Sequence, residues 1–207
     1  MKKTIFLINL LLFSLTVFSQ NSELSFRKHS RSNPKGFKIK IAEKDTELKM
    51  VIRLIDSVSN EIEKDKKYIR LNKKIRRFME SKRMPDINLV KSTVIKLNEI
   101  EEKYLYCKKD SLIINKSDFI EYTNSYLQIL NSPMDVLEYQ KNTIIVLDSN
   151  WTLTFITKSN SKNDMLNMPS PNEKSYPILI GFLKKSFELY RSEKKNDFLN
   201  KEYTFKY

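Results

Sequence analysis

Hydrophobic and polar positions alternate, cluster and recur along this chain in a way that divides it into elements. The first pattern is an apolar run from Ile5 to Phe18, broken only by Asn9, Ser14 and Thr16 and preceded by Lys2 and Lys3. Val17-Phe18-Ser19 closes it with an aliphatic residue at −3 and a small one at −1. This order predicts a bacterial-type export signal over residues 1–19, cleaved between Ser19 and Gln20. The run is shorter than the ~20 residues needed to span a bilayer, so no transmembrane helix is expected in the mature chain. Residues 20–36 carry Arg27, Lys28, His29 and Arg31 among serines and asparagines, with Leu24 and Phe26 as isolated apolar side chains. They read as a flexible basic arm.

Beyond the Asn33-Pro34-Lys35-Gly36 turn signal, Phe37, Ile39 and Ile41 alternate with Lys38 and Lys40, a half-buried strand. Leu48, Val51, Ile52, Ile55, Val58 and Ile62 then recur at steps of three and four. The pattern resumes at Tyr68, Leu71, Ile75, Phe78 and Met79, which predicts one long helix from an Asp45 cap, kinked or unburied where Glu63 to Lys67 interrupt it. Pro85 ends it. Val90, Val94, Leu97, Ile100, Tyr104 and Leu105 predict a second helix from Ile87 to Lys108, antiparallel to the first, with Leu48 to Ile62 facing Val90 to Tyr104.

Asp118 with Glu121 suggests a capping box ahead of a shorter helix through Leu130, and Ser132-Pro133 opens another with Pro at its first position. Thr143 to Leu147 and Trp151 to Thr157 read as a hairpin, with Leu153 and Phe155 packing against a helix. Residues 158–175 read as a long polar loop. Ile180, Leu183, Phe187 and Tyr190 mark a final helix, and Tyr203, Phe205 and Tyr207 a terminal strand. The fold class expected is therefore α+β and predominantly helical: a long antiparallel αα-hairpin and shorter helices packed on a small antiparallel sheet, within one domain over 37–207.

Composition narrows the chemistry. The 207 residues include one Cys, one His and two Gly. That leaves no intramolecular disulfide, no tetrahedral Cys/His zinc site and no Gly-rich phosphate loop, and no cofactor is expected. Lys and Arg number 38 against 25 Asp and Glu. Part of this excess is a lysine bias, since 30 of the 38 are Lys, beside 21 Ile, 18 Asn and a single Ala.

The local concentration of charge is more informative. Within Lys64 to Arg83, Lys66, Arg70, Lys73 and Arg77 fall on one stripe at about 100° per residue, nearly opposite Leu71, Ile75 and Phe78. Such a face suits an anionic polymer, lipid headgroups or an acidic protein. Other candidates are weaker. Asp148-Ser149-Asn150-Trp151-Thr152-Leu153 resembles the haloacid dehalogenase phosphohydrolase motif, but Asn150 cannot act as general acid and Trp151 replaces the turn glycine, so a hairpin turn is the better account. His29 reads as solvent-exposed, and Cys107, beside Lys108 and Lys109 at a helix end, as a buried or inert thiol. The reading reached is a secreted or periplasmic non-enzymatic protein that binds an anionic surface or a protein partner. Its rival is a secreted hydrolase with an unrecognised active site.

Overall fold

The computed structural model describes residues 22–30, 35–81, 86–138, 151–159 and 163–199. Six strands form one antiparallel sheet: β1 (Glu23–Ser30), β2 (Gly36–Lys44), β3 (Glu47–Val58), β4 (Leu105–Asn115), β5 (Trp151–Lys158) and β6 (Asn163–Pro169), in the order β4-β3-β2-β1-β5-β6. The helices are α1 (Lys66–Glu80), α2 (Ile87–Glu101), α3 (Ile120–Asn131), α4 (Met134–Leu137) and α5 (Pro177–Lys194). A 3-10 turn at Asn60–Lys64 precedes α1.

Strand alternation builds the core. Leu24 and Phe26 of β1, Phe37, Ile39 and Ile41 of β2, Leu48, Met50, Ile52 and Leu54 of β3, and Leu153 and Phe155 of β5 all turn to one face and are buried there. Tyr122, Tyr126 and Ile129 of α3 cover that face with the stripe Leu179, Ile180, Phe182, Leu183, Phe187 and Tyr190 of α5. Aromatic contacts tie the layers together: Phe26 lies 5.0 Å from Phe155, and Phe37 meets Phe187 edge-on at 5.1 Å. Gly36 is needed for room rather than for its backbone angle, because a Cβ there would stand 2.5 Å from the Lys28 carbonyl oxygen. The β2–β3 turn instead uses Asp45 at φ 48°.

Several expectations are overturned. The predominantly helical fold on a small sheet gives way to an α+β fold with a prominent six-stranded sheet. The predicted long helix from Asp45 is a twelve-residue strand over Glu47–Val58 followed by α1. Met50, Ile52 and Leu54 alternate with half-buried Val51 and Arg53, and the apolar Val51 and Ile55 on the other face lent the stretch its helical spacing. The second helix stops at Glu101, and residues to Lys108 belong to β4. An αα-hairpin does form, but from α1 and α2.

The supposed flexible arm contributes β1, a central strand paired to both β2 and β5. The long polar loop contains β6. Asp118 makes no helix cap: Phe119 precedes α3, and Pro133 is the cap of α4 rather than its first residue. The export signal, the 143–150 half of the hairpin and its Asp148 motif, and the terminal strand lie outside the described residues. Among the described residues no helix is long and apolar enough to cross a membrane.

β3 and β4 pair along their whole length, from Glu47 opposite Asn115 to Val58 opposite Leu105. Residues 59–104 are therefore an elaborated hairpin connection, a helical arm rooted at both ends on one strand pair. Its root is a small joint. Asp65 accepts from the backbone N–H of Lys67 and Tyr68 at 2.8 and 3.0 Å and from the Tyr104 hydroxyl at 2.9 Å. The bonds from Tyr68 and Tyr104 hold its carboxyl below the usual range. Ile55, Ile62 and Ile100 are buried outside the main core.

The arm lies over the polar face of the sheet. Register places Lys109, Arg53, Lys38 and Arg27 side by side across β4, β3, β2 and β1, four cations about one strand spacing apart. Carboxylates at the end of α2 compensate three of them. Arg27 donates to Glu101 at 2.8 Å, while Glu102 is shared by Lys38 and, at 3.6 Å, by Arg53.

Candidate anion-binding surface

α1 forms because Asp65 caps it and its interior holds strong helix formers, with no Gly or Pro among Lys66–Glu80. Seven of those fifteen residues are cations and one, Glu80, is an acid. None of the fifteen is buried; Tyr68, Leu71, Ile75 and Phe78 are half-buried on the side that meets α2. α2 contributes Thr93 and Ile100 as its buried residues. The two helices thus share a shallow apolar seam flanked by polar side chains.

Two adjoining hollows run along this seam. One, of about 510 Å³, is lined by Arg70, Lys73, Lys74 and Arg77 of α1 and by Leu89, Ser92, Thr93 and Lys96 of α2, with Leu71 at the join. The next, of about 430 Å³, shares Arg70, Leu71 and Lys96 and adds Lys67, Glu99, Ile100 and Lys103. Seven cations and one carboxylate, Glu99, therefore face one continuous groove. Lys74 sits 5.6 Å over the Phe78 ring. Ser92 and Thr93 turn their hydroxyl protons back to the Leu89 carbonyl, at 3.0 and 2.7 Å. They present oxygen, not protons, to a ligand, so recognition here falls to the ammonium and guanidinium groups.

Of the four cations picked from the helical stripe, the structure brings Arg70, Lys73 and Arg77 into the groove. Lys66 is exposed one turn earlier and does not line it. Lys96, Lys67 and Lys103 escape a reading of the sequence. The first and third come from outside α1, and Lys67 lies off the chosen stripe. Among the described residues none of Arg70, Lys73, Arg77 and Lys96 is held in an ion pair; the arm's pairs are Lys64 with Glu61 and those that fasten Glu101 and Glu102 to the sheet.

The displaced acids elsewhere are structural joints. For Glu43, burial pushes upward, but bonds from Lys116 and Ser22 bring it below the carboxylate norm. Asp110 is lowered by the Tyr190 hydroxyl, and Asp65 caps α1. For Glu102, too, burial pushes upward, and Lys38 with the field of Arg53 outweighs it. Among the described residues no group of three His, Cys, Asp or Glu side chains converges as a metal site would. Cys107 is exposed and sits in β4 opposite Ile55, correcting the buried or inert thiol at a helix end. His29 belongs to β1, opposite Thr152. What the arm can do chemically is hold negative charge along its length. No protein-family model, curated protein or solved structure matches the chain.

Proposed function

We propose that the chain is an exported, non-enzymatic binding protein that takes an extended polyanion along the seam between α1 and α2. The observation that carries the reading is the groove itself, seven cations against one carboxylate, with Arg70, Lys73, Arg77 and Lys96 outside any ion pair among the described residues. Its shape supports a chain-like ligand: fifteen residues of α1 extend for about 22 Å, several times the spacing of successive phosphates or sulfates. The order of charge, apolar run and small residues over 1–19 supports export.

The test is retention on heparin and on duplex DNA across a salt series. It compares the wild type, the variant with Lys66, Arg70, Lys73 and Arg77 all changed to Gln, and the single variant Lys96→Gln. Affinity of the wild type should fall steeply with salt, and on DNA the slope should shrink by about 0.9 for each phosphate that a variant no longer neutralises. Lys96→Gln should weaken binding although Lys96 lies off α1, because both helices line the groove. Equal retention of all three proteins at every salt concentration would reduce the seam to a solvated face.

A further inference from the structure

A second hollow lies under the arm, away from the seam. The polar face of the sheet and the underside of α2 enclose a trough of about 460 Å³. Cross-strand register orders its floor. Next to the row Lys109–Arg53–Lys38 runs a row with Val51 of β3, Lys40 of β2, Ser25 of β1 and Ile156 of β5, and then one with Lys49, Ala42, Glu23 and Lys158. Ile95 of α2 stands in the roof.

Two features of this trough are unexpected for the outer face of a sheet. The first is apolar: Val51, Ile156 and Ile95 are half-buried, line the hollow and belong to no part of the core. Apolar side chains half-covered around an open space leave hydrophobic surface that a ligand's aliphatic body would remove from water. The second is charge. Arg53 and Lys109 are direct cross-strand partners, an arrangement in which like charges repel. Glu102 relieves it little, since it is shared with Lys38 and reaches Arg53 at 3.6 Å, and Lys109 has no ion-pair partner among the described residues. An anionic group seated between Arg53 and Lys109 would neutralise that repulsion, with a guanidinium to accept it in a bidentate grip.

We propose that the trough binds one amphiphilic anion: a phosphate or carboxylate head between Arg53 and Lys109, and an aliphatic body laid over Val51 towards Ile156 beneath Ile95. The site is independent of the seam, since no residue named here belongs to α1 and none of the seam's cations lines the trough.

The probes are octyl phosphate below its micelle concentration and octanoate, which separate the two head chemistries. Octyl glucoside and inorganic phosphate supply the tail and the head alone. Titration calorimetry on the full chain should give one-to-one binding of at least one of the two anionic amphiphiles, at least tenfold tighter than either control. Lys109→Gln, at an exposed position without an ion pair among the described residues, should weaken it about tenfold while leaving the melting temperature unchanged. Ile95→Ser should weaken the octyl ligands and not inorganic phosphate. The variant with Arg70, Lys73, Arg77 and Lys96 changed to Gln should bind the amphiphile as the wild type does. The proposal is overturned by the absence of one-to-one binding, by octyl glucoside binding as tightly as the anions, by full affinity in Lys109→Gln, or by an equal loss in the seam variant, which would trace binding to diffuse positive charge.

Discussion

Thr157 faces the core from β5, is wholly buried, and its hydroxyl finds no hydrogen-bond partner among the described residues. Other buried hydroxyls of the core are satisfied: Tyr122 and Ser186 bond at 2.9 Å, and Tyr126 donates to the Ser22 carbonyl at 2.9 Å. Leaving such a group unpaired costs about 1–3 kcal/mol, and Val has nearly the same shape without the polar atom. Thr157→Val should therefore stabilise the protein by about 1–2 kcal/mol, read as a higher urea midpoint at unchanged slope. A lower midpoint would mean that the hydroxyl has a partner. Single residues also show where the candidate sites were legible. Arg70, Lys73 and Arg77 could be grouped from one helix's periodicity, but Lys96 joins them only when α2 packs alongside. The pairing of Arg53 with Lys109 depends on a strand register across an intervening helical arm, and no local pattern in either segment encodes it.

Among the elements, the strand of β2 and the helix of α5 were plain because one periodicity stood alone in each. β3 was not, because its outer face carries Val51 and its bulge after Ile55 turns that residue out of step. Apolar residues on both faces break strict alternation and mimic a three-and-four spacing. β1 was missed for the opposite reason: Leu24 and Phe26 are its only large buried apolar residues, and its tertiary neighbours rather than its own pattern make it a strand. The arm makes a sharper prediction. Since β3 and β4 meet at Val58 and Leu105, replacing residues 59–104 with Asn-Gly should close the hairpin directly. Shortening a loop lowers closure cost, and the excised segment buries Ile62, Thr93 and Ile100 outside or at the margin of the main core. The shortened chain should keep the near-ultraviolet signal of its packed aromatics and unfold cooperatively, while losing retention on heparin. Loss of that signal would place the arm within the folding core.

Across the whole molecule, the groups whose titration folding displaces lie at the two ends of the pH scale, and one joint belongs to both. The Tyr190 hydroxyl donates to Asp110, tying α5 to the edge strand β4, with Lys194 at 3.7 Å from the same carboxylate. That bond lowers Asp110 from its usual 3.8, while burial and the same bond raise Tyr190 above 10.0. A lowered carboxylate contributes stability that is present above its unfolded value and lost as pH falls through the folded one. Glu43 and Glu102 act in the same direction. A raised tyrosine contributes stability that is complete below 10.0 and lost as pH rises through its folded value. Burial raises Tyr122 in this way, and burial likewise pushes Tyr126 up to about 12. The melting temperature should thus fall on the acid side below about pH 4 and on the alkaline side above about pH 10, with the carboxylates and the tyrosines as the respective causes. Two variants separate them. Tyr122→Phe removes a group that acts on the alkaline side, so its fall there should be shallower with the acid side unchanged. Tyr190→Phe removes the donor that lowers Asp110 as well as its own ionisation, so both falls should flatten. A melting curve in which Tyr190→Phe alters the alkaline side alone would show that Asp110 owes its depressed titration to Lys194 and the backbone rather than to the tyrosine.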